Sequence, residues 1–264
     1  MLRERQGEID GQPVFWREAA GARVLYVHGV PTSSAIWAPF LERTGGIAVD
    51  LPGFGRSTKR GDFPFTIEGY GVFLDRFAEL VGLGGFRLCV HDWGGLALAW
   101  AARRAGSVER LAIIDAVPLL PGYRWHRIAR AWRTPVLGEV AMGLTYRPVL
   151  RGLLRESNVG PMPAEFVETI ARDLDHGTQR AILRLYRSAP PAVLAAAGSE
   201  LSELRAPALV AWGERDPYIP ARFAQAYADA LGGEAEVLTL PDAGHWAWYD
   251  RPDLVETVCD HLSR

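Results

Sequence analysis

Short runs of apolar residues recur along this 264-residue chain, separated by segments with helical periodicity. The runs predict six strands, at 24–27, 46–49, 86–90, 111–114, 208–212 and 235–240. Most of them are continuously apolar, as expected for strands of a parallel sheet that are covered on both faces. A further segment at 14–18 alternates apolar and polar residues, which predicts an edge strand.

Helices are predicted between these strands. Thr66 is a suitable N-cap for a helix whose apolar residues recur about every 3.6 positions: Tyr70, Phe73, Leu74, Phe77 and Leu80. Segments 94–102, 223–231 and 254–262 also have helical patterns. Strands and helices that alternate at this spacing predict the α/β class, with a mostly parallel sheet and helices on both faces.

Residues 117–200 interrupt this alternation. The stretch contains no convincing strand and begins with the turn-rich residues 118–122. It continues as several short helices, the first of which places Trp125 and Trp132 on one face. We therefore expect a helical cap at 117–200, inserted into a main domain formed by 1–116 and 201–264.

A strand passes directly into a helix around Asp92. The apolar run ending at Val90 is followed within a few residues by the small-residue run 94–102. Such a tight turn exposes the residue at its tip above the sheet. A carboxylate at the tip would form a high-energy anhydride on attacking an ester or amide carbonyl. Attack on an electrophilic sp3 carbon would instead form an ordinary ester, so Asp92 argues against esterase or protease chemistry.

Composition narrows the classes of partner. Lys and Arg total 29 against 31 Asp and Glu, a net charge of −2 that provides no electrostatic case for nucleic acid or an anionic membrane. No apolar stretch is long enough to span a bilayer, and the charged residues 1–6 do not resemble a signal peptide. With only two cysteines, at 89 and 259, the sequence predicts a cytoplasmic protein with reduced thiols. It leaves the oligomeric state open.

Five motifs occur in an order that resembles one family. They are His28-Gly29-Val30-Pro31, Asp50-Leu51-Pro52-Gly53-Phe54-Gly55-Arg56-Ser57, His91-Asp92-Trp93-Gly94, Gly213-Glu214-Arg215-Asp216-Pro217-Tyr218-Ile219-Pro220 and Ala243-Gly244-His245-Trp246. Over nearly its full length the chain is similar to α/β-hydrolases of the group that contains epoxide hydrolases and haloalkane dehalogenases. The resemblance implies the α/β-hydrolase fold with an inserted helical cap.

The resemblance also assigns roles to individual residues. Asp92 is the implied nucleophile, which forms an alkyl-enzyme ester. His245 is the implied base, which activates water against that ester. The backbone N–H groups of Val30 and Trp93 would form the oxyanion hole.

A third residue must orient the histidine and support its charge. Asp216, on the loop after a late strand, is the preferred candidate. Asp115 is the alternative, because it ends the strand that follows the elbow helix, where some dehalogenases of this fold place their acid.

The leaving group decides between two reactions. Opening an epoxide creates an alkoxide that needs a proton, and a phenol can supply it. Epoxide hydrolases use cap tyrosines, and Tyr186, within Leu185-Tyr186-Arg187, resembles one of them. Tyr146 is the nearest partner although it lies later than the family spacing, and Tyr123 is a weaker option.

Halide release needs N–H donors instead of an acid. Trp93 and the residues Pro31-Thr32-Ser33-Ser34 resemble the dehalogenases, but Val30 occupies the position where those enzymes have a donor side chain. Trp125 or Trp132 could replace it from the cap, and with Trp93 they are the predicted substrate-binding residues. The sequence favours an epoxide hydrolase, with a haloalkane dehalogenase as the alternative.

Further readings are an esterase or lactonase and a non-catalytic ligand-binding protein. The Asp92 nucleophile disfavours the former, and the complete set of candidate catalytic residues disfavours the latter. The apolar cap predicts a small, largely uncharged substrate. No spacing of ligands predicts a metal or a cofactor.

Overall fold

The computed structural model describes residues 1–145 and 147–264, and eight strands form one sheet in the order β1-β2-β4-β3-β5-β6-β7-β8. Strands β1 and β2 are antiparallel to each other and β2 is antiparallel to β4, whereas the remaining neighbours are parallel. The strands are β1 (Arg3–Ile9), β2 (Gln12–Ala19), β3 (Val24–Val27), β4 (Gly46–Val49), β5 (Phe86–Asp92), β6 (Val108–Ala116), β7 (Ala208–Gly213) and β8 (Ala235–Leu240).

Helices connect most of the strands. They are α1 (Ala38–Thr44), α2 (Ile67–Leu80), α3 (Leu96–Ala102), α4 (Arg127–Arg133), α5 (Leu137–Gly143), α6 (Arg147–Glu156), α7 (Ala164–Asp173), α8 (His176–Ser188), α9 (Pro191–Ala197), α10 (Arg222–Ala230), α11 (Ala247–Asp250) and α12 (Asp253–Ser263). Short 3-10 turns occur at Ser34–Trp37, Trp93–Gly95, Ala105–Ser107 and Leu201–Glu203. In the described part of the chain, no helix combines the length and apolarity needed to cross a membrane.

The inner strands are buried on both faces. All four residues of β3 are buried, and alternate residues point to opposite sides. Leu25 and Val27 belong to one apolar core, with residues of α2 and α3, while Val24 and Tyr26 belong to a second core, with residues of α1 and α12. Helices therefore cover both faces of the sheet, which confirms the predicted α/β architecture.

Strand β1 was not predicted, because its sequence Arg3–Ile9 is mostly polar and exposed. It pairs along its whole length with β2, from Arg3 opposite Glu18 to Ile9 opposite Gln12. The outer face of an antiparallel edge hairpin can be exposed to solvent, so its strands need no continuous run of apolar residues.

Helix α2 follows the sequence prediction. The Thr66 side chain accepts a 3.0 Å hydrogen bond from the backbone N–H of Gly69 and so caps the helix. Tyr70, Phe73 and Phe77 are buried on one face. The cap and the apolar stripe together fix where this helix begins and which side packs on the sheet.

Helices α4 to α9 lie between β6 and β7 in the chain, within the segment predicted as a cap. Tyr123, Trp125 and Tyr186 from this segment belong to the same apolar core as β5 and α3. This packing brings cap side chains to the end of β5. The predicted proton donor Tyr146 lies outside the described residues.

Candidate active site

Asp92 occupies a strained turn at the end of β5. Its backbone dihedrals are φ 49° and ψ −125°, and the 3-10 turn Trp93–Gly95 leads directly into α3. A Cβ at Gly94 would lie 2.0 Å from the Val27 carbonyl oxygen, so only glycine allows the turn to approach β3 this closely. A non-glycine residue with positive φ costs on the order of 1–3 kcal/mol, and such strain is typical of functional sites.

The carboxylate of Asp92 faces two backbone donors. The Val30 N–H donates a 2.7 Å hydrogen bond to Asp92 Oδ1, and the Trp93 N–H also points to this carboxylate. The predicted oxyanion donors therefore lie together at the predicted nucleophile. A Cβ at Gly29 would be 2.2 Å from Asp92 Oδ1, so this loop can approach only because residue 29 is glycine.

His28 holds the Val30 loop in place. Its Nδ1 lies 2.7 Å from the Gly29 carbonyl oxygen, and its Nε2 accepts a 3.0 Å hydrogen bond from the Leu51 N–H. Both ring nitrogens are thus occupied by backbone groups, and the imidazole is buried. The geometry gives His28 a bracing role and leaves it no free group for chemistry.

His245 lies between two carboxylates. Its Nδ1 is 2.8 Å from Asp216 Oδ2, and its Nε2 is 3.6 Å from Asp92 Oδ2. Asp216 Oδ1 in turn accepts hydrogen bonds from the backbone N–H groups of Tyr218 and Ile219, at 2.7 and 3.1 Å. The loop after β7 therefore fixes the carboxylate that orients the imidazole.

Burial and charge act in opposite directions on these groups. Burial raises the pKa of Asp92, while the charge of His245 and the N–H groups of Val30 and Trp93 lower it, and the net pKa lies above the ordinary value. Burial alone would lower the pKa of His245, but the charge and hydrogen bond of Asp216 and the charge of Asp92 raise it above the ordinary value. The imidazole is thus tuned to accept a proton.

Asp115, the alternative acid, is placed differently. It is fully buried at the end of β6 with φ 40°, and its Oδ1 accepts a 2.9 Å hydrogen bond from the Gly213 N–H. Its Oδ2 has no hydrogen-bond partner within residues 1–145 and 147–264. Burial first, and then the charge of Asp216, raise the pKa of Asp115 well above its ordinary value. His245 Nδ1 donates its hydrogen bond to Asp216 and not to Asp115.

The loop that carries His245 is tied to the cap by a polar network. The His245 N–H donates to the Ser157 carbonyl at 2.8 Å. The Asn158 side-chain amide binds both backbone groups of Trp246. Its Oδ1 accepts from the Trp246 N–H at 3.2 Å, and its Nδ2 donates to the Trp246 carbonyl at 2.9 Å. Asp250 accepts from Asn158 Nδ2 and from backbone N–H groups on both sides of the contact. No sequence pattern indicated this network.

A cavity of about 60 Å³ lies in front of Asp92. Its lining includes the polar groups of Asp92, His245, Tyr186, His126 and Tyr218, with aliphatic cap residues and Trp132 completing the wall. A volume of this size fits only a few non-hydrogen atoms near the carboxylate. The site thus matches a small, uncharged reacting group.

Tyr186 reaches this cavity from α8. Its ring packs edge-on against Trp93 and Trp132, with centroid separations of 5.0 and 5.2 Å. Burial and the charge of Asp92 raise the pKa of Tyr186 well above its ordinary value, so the phenol keeps its proton. The predicted donor and the predicted nucleophile therefore share one cavity.

His126 was missed by the sequence reasoning. Its ring lines the cavity 4.9 Å from the ring of Tyr218 and 6.4 Å from that of Tyr186, measured between centroids. Nδ1 accepts a hydrogen bond from the Ala129 N–H at 3.4 Å, as the N-cap of α4, which leaves Nε2 as the donor of the neutral ring. Burial lowers the pKa of His126 to about 3.

The three predicted substrate-binding tryptophans occupy different positions. Trp132 lines the cavity, whereas Trp93 and Trp125 stack on each other behind it, 5.3 Å apart and inclined by 24°. The Trp125 indole N–H donates to the Ala189 carbonyl at 3.0 Å and is not available to a halide. The Trp93 indole N–H is buried and has no partner among the described residues.

Tyr123, the weaker candidate donor, is buried against Trp125 and Phe223 and is not part of the cavity wall. Among the residues that the structure describes, no group of three or more His, Cys, Asp or Glu side chains is arranged to hold a metal ion.

Comparison with known proteins places this geometry in a family. Residues 24–258 match the model of the Alpha/beta hydrolase family. A cis-3-alkyl-4-alkyloxetan-2-one decarboxylase from Xanthomonas campestris is 29% identical over 92% of this chain and 89% of its own length. Epoxide hydrolase 3 from Xenopus tropicalis is 24% identical over 89% of this chain and 69% of its own length.

Among solved structures, haloalkane dehalogenase DbeA from Bradyrhizobium elkani superposes with a TM-score of 0.85 and 26% identity, covering 100% of this chain and 98% of that one. The relatives are named for different reactions, so they agree on the fold and on hydrolase-type chemistry rather than on a substrate. The chain belongs to the alpha/beta hydrolase family and is an α/β-fold hydrolase.

Proposed function

We propose that this protein is an epoxide hydrolase that acts through an alkyl-enzyme ester on Asp92. The observation that supports this most strongly is the shared cavity: nucleophile, base, a neutral phenol that can give a proton and a neutral imidazole that can donate a hydrogen bond all line one small space. The position of each group suits one step of the reaction.

Asp92 Oδ2 attacks a ring carbon of the epoxide in the first step. Oδ1 is held by the Val30 N–H at 2.7 Å, which leaves Oδ2 as the free oxygen on the side of His245. The C–Oδ2 bond forms as the ring C–O bond breaks, and the departing oxygen takes a proton from Tyr186 while the His126 Nε2–H donates a hydrogen bond to it.

Water then hydrolyses the ester. His245 Nε2 removes a proton from the water as its oxygen attacks Cγ of Asp92, and Asp216 stabilises the imidazolium through the 2.8 Å contact. The negative charge develops on Oδ1, which already accepts a hydrogen bond from the Val30 N–H, and the Trp93 N–H also points to this carboxylate. The Cγ–Oδ2 bond then breaks, and the departing alkoxide takes the hydroxyl proton of the tetrahedral intermediate to give the diol and the carboxylate. The proton on His245 returns to the Tyr186 phenolate through solvent.

The Tyr186 phenol favours ring opening over halide release. Tyr186 and His126 are both neutral donors, because burial holds the pKa of the phenol high and that of the imidazole low. An alkoxide leaving group requires such a proton, whereas a halide does not. The second donor that the sequence assigned to Tyr146 is supplied in this proposal by His126.

A haloalkane dehalogenase remains the second candidate, because the buried Trp93 indole N–H lacks a partner within the described residues and could donate to a halide. The Trp125 N–H, bound to the Ala189 carbonyl, provides no matching second donor. The relative named for an oxetan-2-one adds a third substrate type, a strained lactone whose opening at sp3 carbon releases a carboxylate.

Steady-state rates with 1,2-epoxybutane, 1-bromobutane and a dialkyl oxetan-2-one distinguish these candidates. We expect Tyr186→Phe to lower epoxide turnover by about 10²–10⁴-fold, the range of general acid catalysis, with Tyr70→Phe as the matched control. Tyr70 is a buried tyrosine on α2 whose hydroxyl donates to the Pro52 carbonyl. Wild-type turnover of the bromide or the lactone without turnover of the epoxide would overturn the proposal.

A further inference from the structure

Helix α5 in the cap is apolar on two opposite sides. Gly138 and Met142 face the protein and are buried. Val136, Leu137, Val140 and Leu144, which we call the cap stripe, are 75%, 52%, 54% and 59% exposed. With about 100° of rotation per residue, Leu137, Val140 and Leu144 fall within an arc of about 60° away from the buried side, and Val136 directly precedes the helix.

Such a helix lacks the polar outer face that a solvent-exposed helix normally has. Its one charged side chain, Glu139, lies outside the stripe and is paired with Arg187 at 2.6 Å. Among the described residues, nine large hydrophobic side chains are exposed, and four of them form the cap stripe. A concentration of this kind is typical of an interaction surface.

The backbone at the start of the stripe is strained. Val136 has φ 67°, a conformation that is unfavourable for a β-branched residue. The most exposed member of the stripe thus directly precedes α5. Strained conformations of this kind cluster at functional sites.

Basic residues are concentrated in the segment that contains the stripe. Seven of the chain's 29 basic residues, but only two of its 31 acidic residues, lie between Arg124 and Glu156. This stretch therefore carries a formal charge of +5, while the whole chain carries −2. Arg124, Arg130 and Arg155 are exposed, and none of them has an ion-pair partner among the residues described.

We propose that the cap stripe and the exposed arginines of the segment that contains it dock on an anionic lipid bilayer. Apolar side chains that insert at the interface, flanked by arginines, are the features that bind amphipathic helices to anionic membranes. A stable protein partner would need roughly 800 Å² from each side, far more than four partly exposed aliphatic side chains offer. The prediction that no membrane is a partner depends on the net charge of the whole chain, which does not reflect this distribution.

Docking in this orientation has a consequence for substrate access. Thr145 follows the stripe directly and Trp132 precedes it by four residues, and both line the cavity in front of Asp92. The bilayer would thus lie beside the part of the cap that encloses the reacting group. An apolar substrate dissolved in lipid would be concentrated there.

Vesicle co-sedimentation of the full chain tests the docking. We expect binding to vesicles of phosphatidylcholine with phosphatidylglycerol, weaker binding at high salt, and little binding to phosphatidylcholine alone. Val140→Gln with Leu144→Gln should weaken binding at least about tenfold, because two inserted aliphatic groups are lost. The matched control is Val72→Gln with Leu80→Gln, which changes two exposed aliphatic residues of α2 in the main domain and should bind like the wild type.

Two results would overturn the proposal. In the first, the wild type does not bind anionic vesicles, or the control pair weakens binding as much as the stripe pair. In the second, sedimentation velocity without lipid shows a dimer that the stripe pair dissociates, so that a second copy covers the stripe. Circular dichroism of each variant separates loss of binding from loss of folding.

Discussion

Replacing Asp216 by Asn should slow hydrolysis of the alkyl-enzyme ester much more than its formation. The 2.8 Å contact with His245 Nδ1 is a charge-assisted hydrogen bond between buried groups. Such a bond contributes about 1.5–3 kcal/mol, which corresponds to about 10- to 150-fold in rate. Loss of the imidazole orientation adds to this effect, and we expect kcat to fall by about 10²–10⁴-fold in total.

The pH profile of kcat adds a second, independent readout. His245 must be neutral to accept a proton, so activity falls as the pH falls through its pKa. Burial lowers this pKa and the two carboxylates raise it above the ordinary value. Without the charge of Asp216, burial has more weight, and the acidic limb of the profile should move to lower pH even though the plateau falls.

Asp115→Asn is the matched control, because it removes the neighbouring carboxyl that does not contact His245. Its Oδ1 bond from the Gly213 N–H can be kept by the Asn carbonyl. We expect kcat within about threefold of the wild type, as for a residue outside the proton path. Rapid-quench measurement of ester formation and decay separates the two steps. Equal losses from Asp115→Asn and Asp216→Asn, or an unchanged kcat in the latter, would refute the assignment of the acid.

Two further variants test how the site is supported. Asn158→Ala removes both amide hydrogen bonds to Trp246. We expect kcat to fall by about 10–100-fold with a smaller effect on KM, because a loop that shifts by about 1 Å misplaces the base. A lower Tm with an unaltered kcat would show a purely structural role. Gly29→Ala places a Cβ 2.2 Å from Asp92 Oδ1 and should abolish ester formation while circular dichroism remains unchanged. Normal activity in this variant would mean that the loop does not lie against the Asp92 carboxylate.

Much of the architecture could be predicted because the signals are local. Apolar runs and the Thr66 cap fix the inner strands and α2, since a chain buried on both sides must be apolar throughout. Strand β1 has no such signal, because pairing with β2 at the solvent-exposed edge of the sheet requires only backbone groups. Its prediction would need the tertiary context.

Only the site residues that lie within recognisable sequence motifs could be predicted. Spacing and order indicated Asp92 and His245, but not which acid pairs with the histidine, because Asp115 and Asp216 follow the neighbouring strands β6 and β7. That choice depends on a side-chain distance. His126 was missed because a lone histidine beside a tryptophan has no characteristic spacing, and its role depends on the cavity that the fold creates.

The central claim is that Asp92 becomes alkylated, and trapping the ester tests it most directly. The His245→Gln protein, which lacks the base for hydrolysis, is incubated with 1,2-epoxybutane and then examined by intact mass and peptide mapping. We expect one adduct with the full mass of the epoxide on the peptide that contains Asp92, and none in the protein that also carries Asp92→Asn. An unmodified Asp92 in protein that remains folded, or an adduct on another residue, would contradict the mechanism.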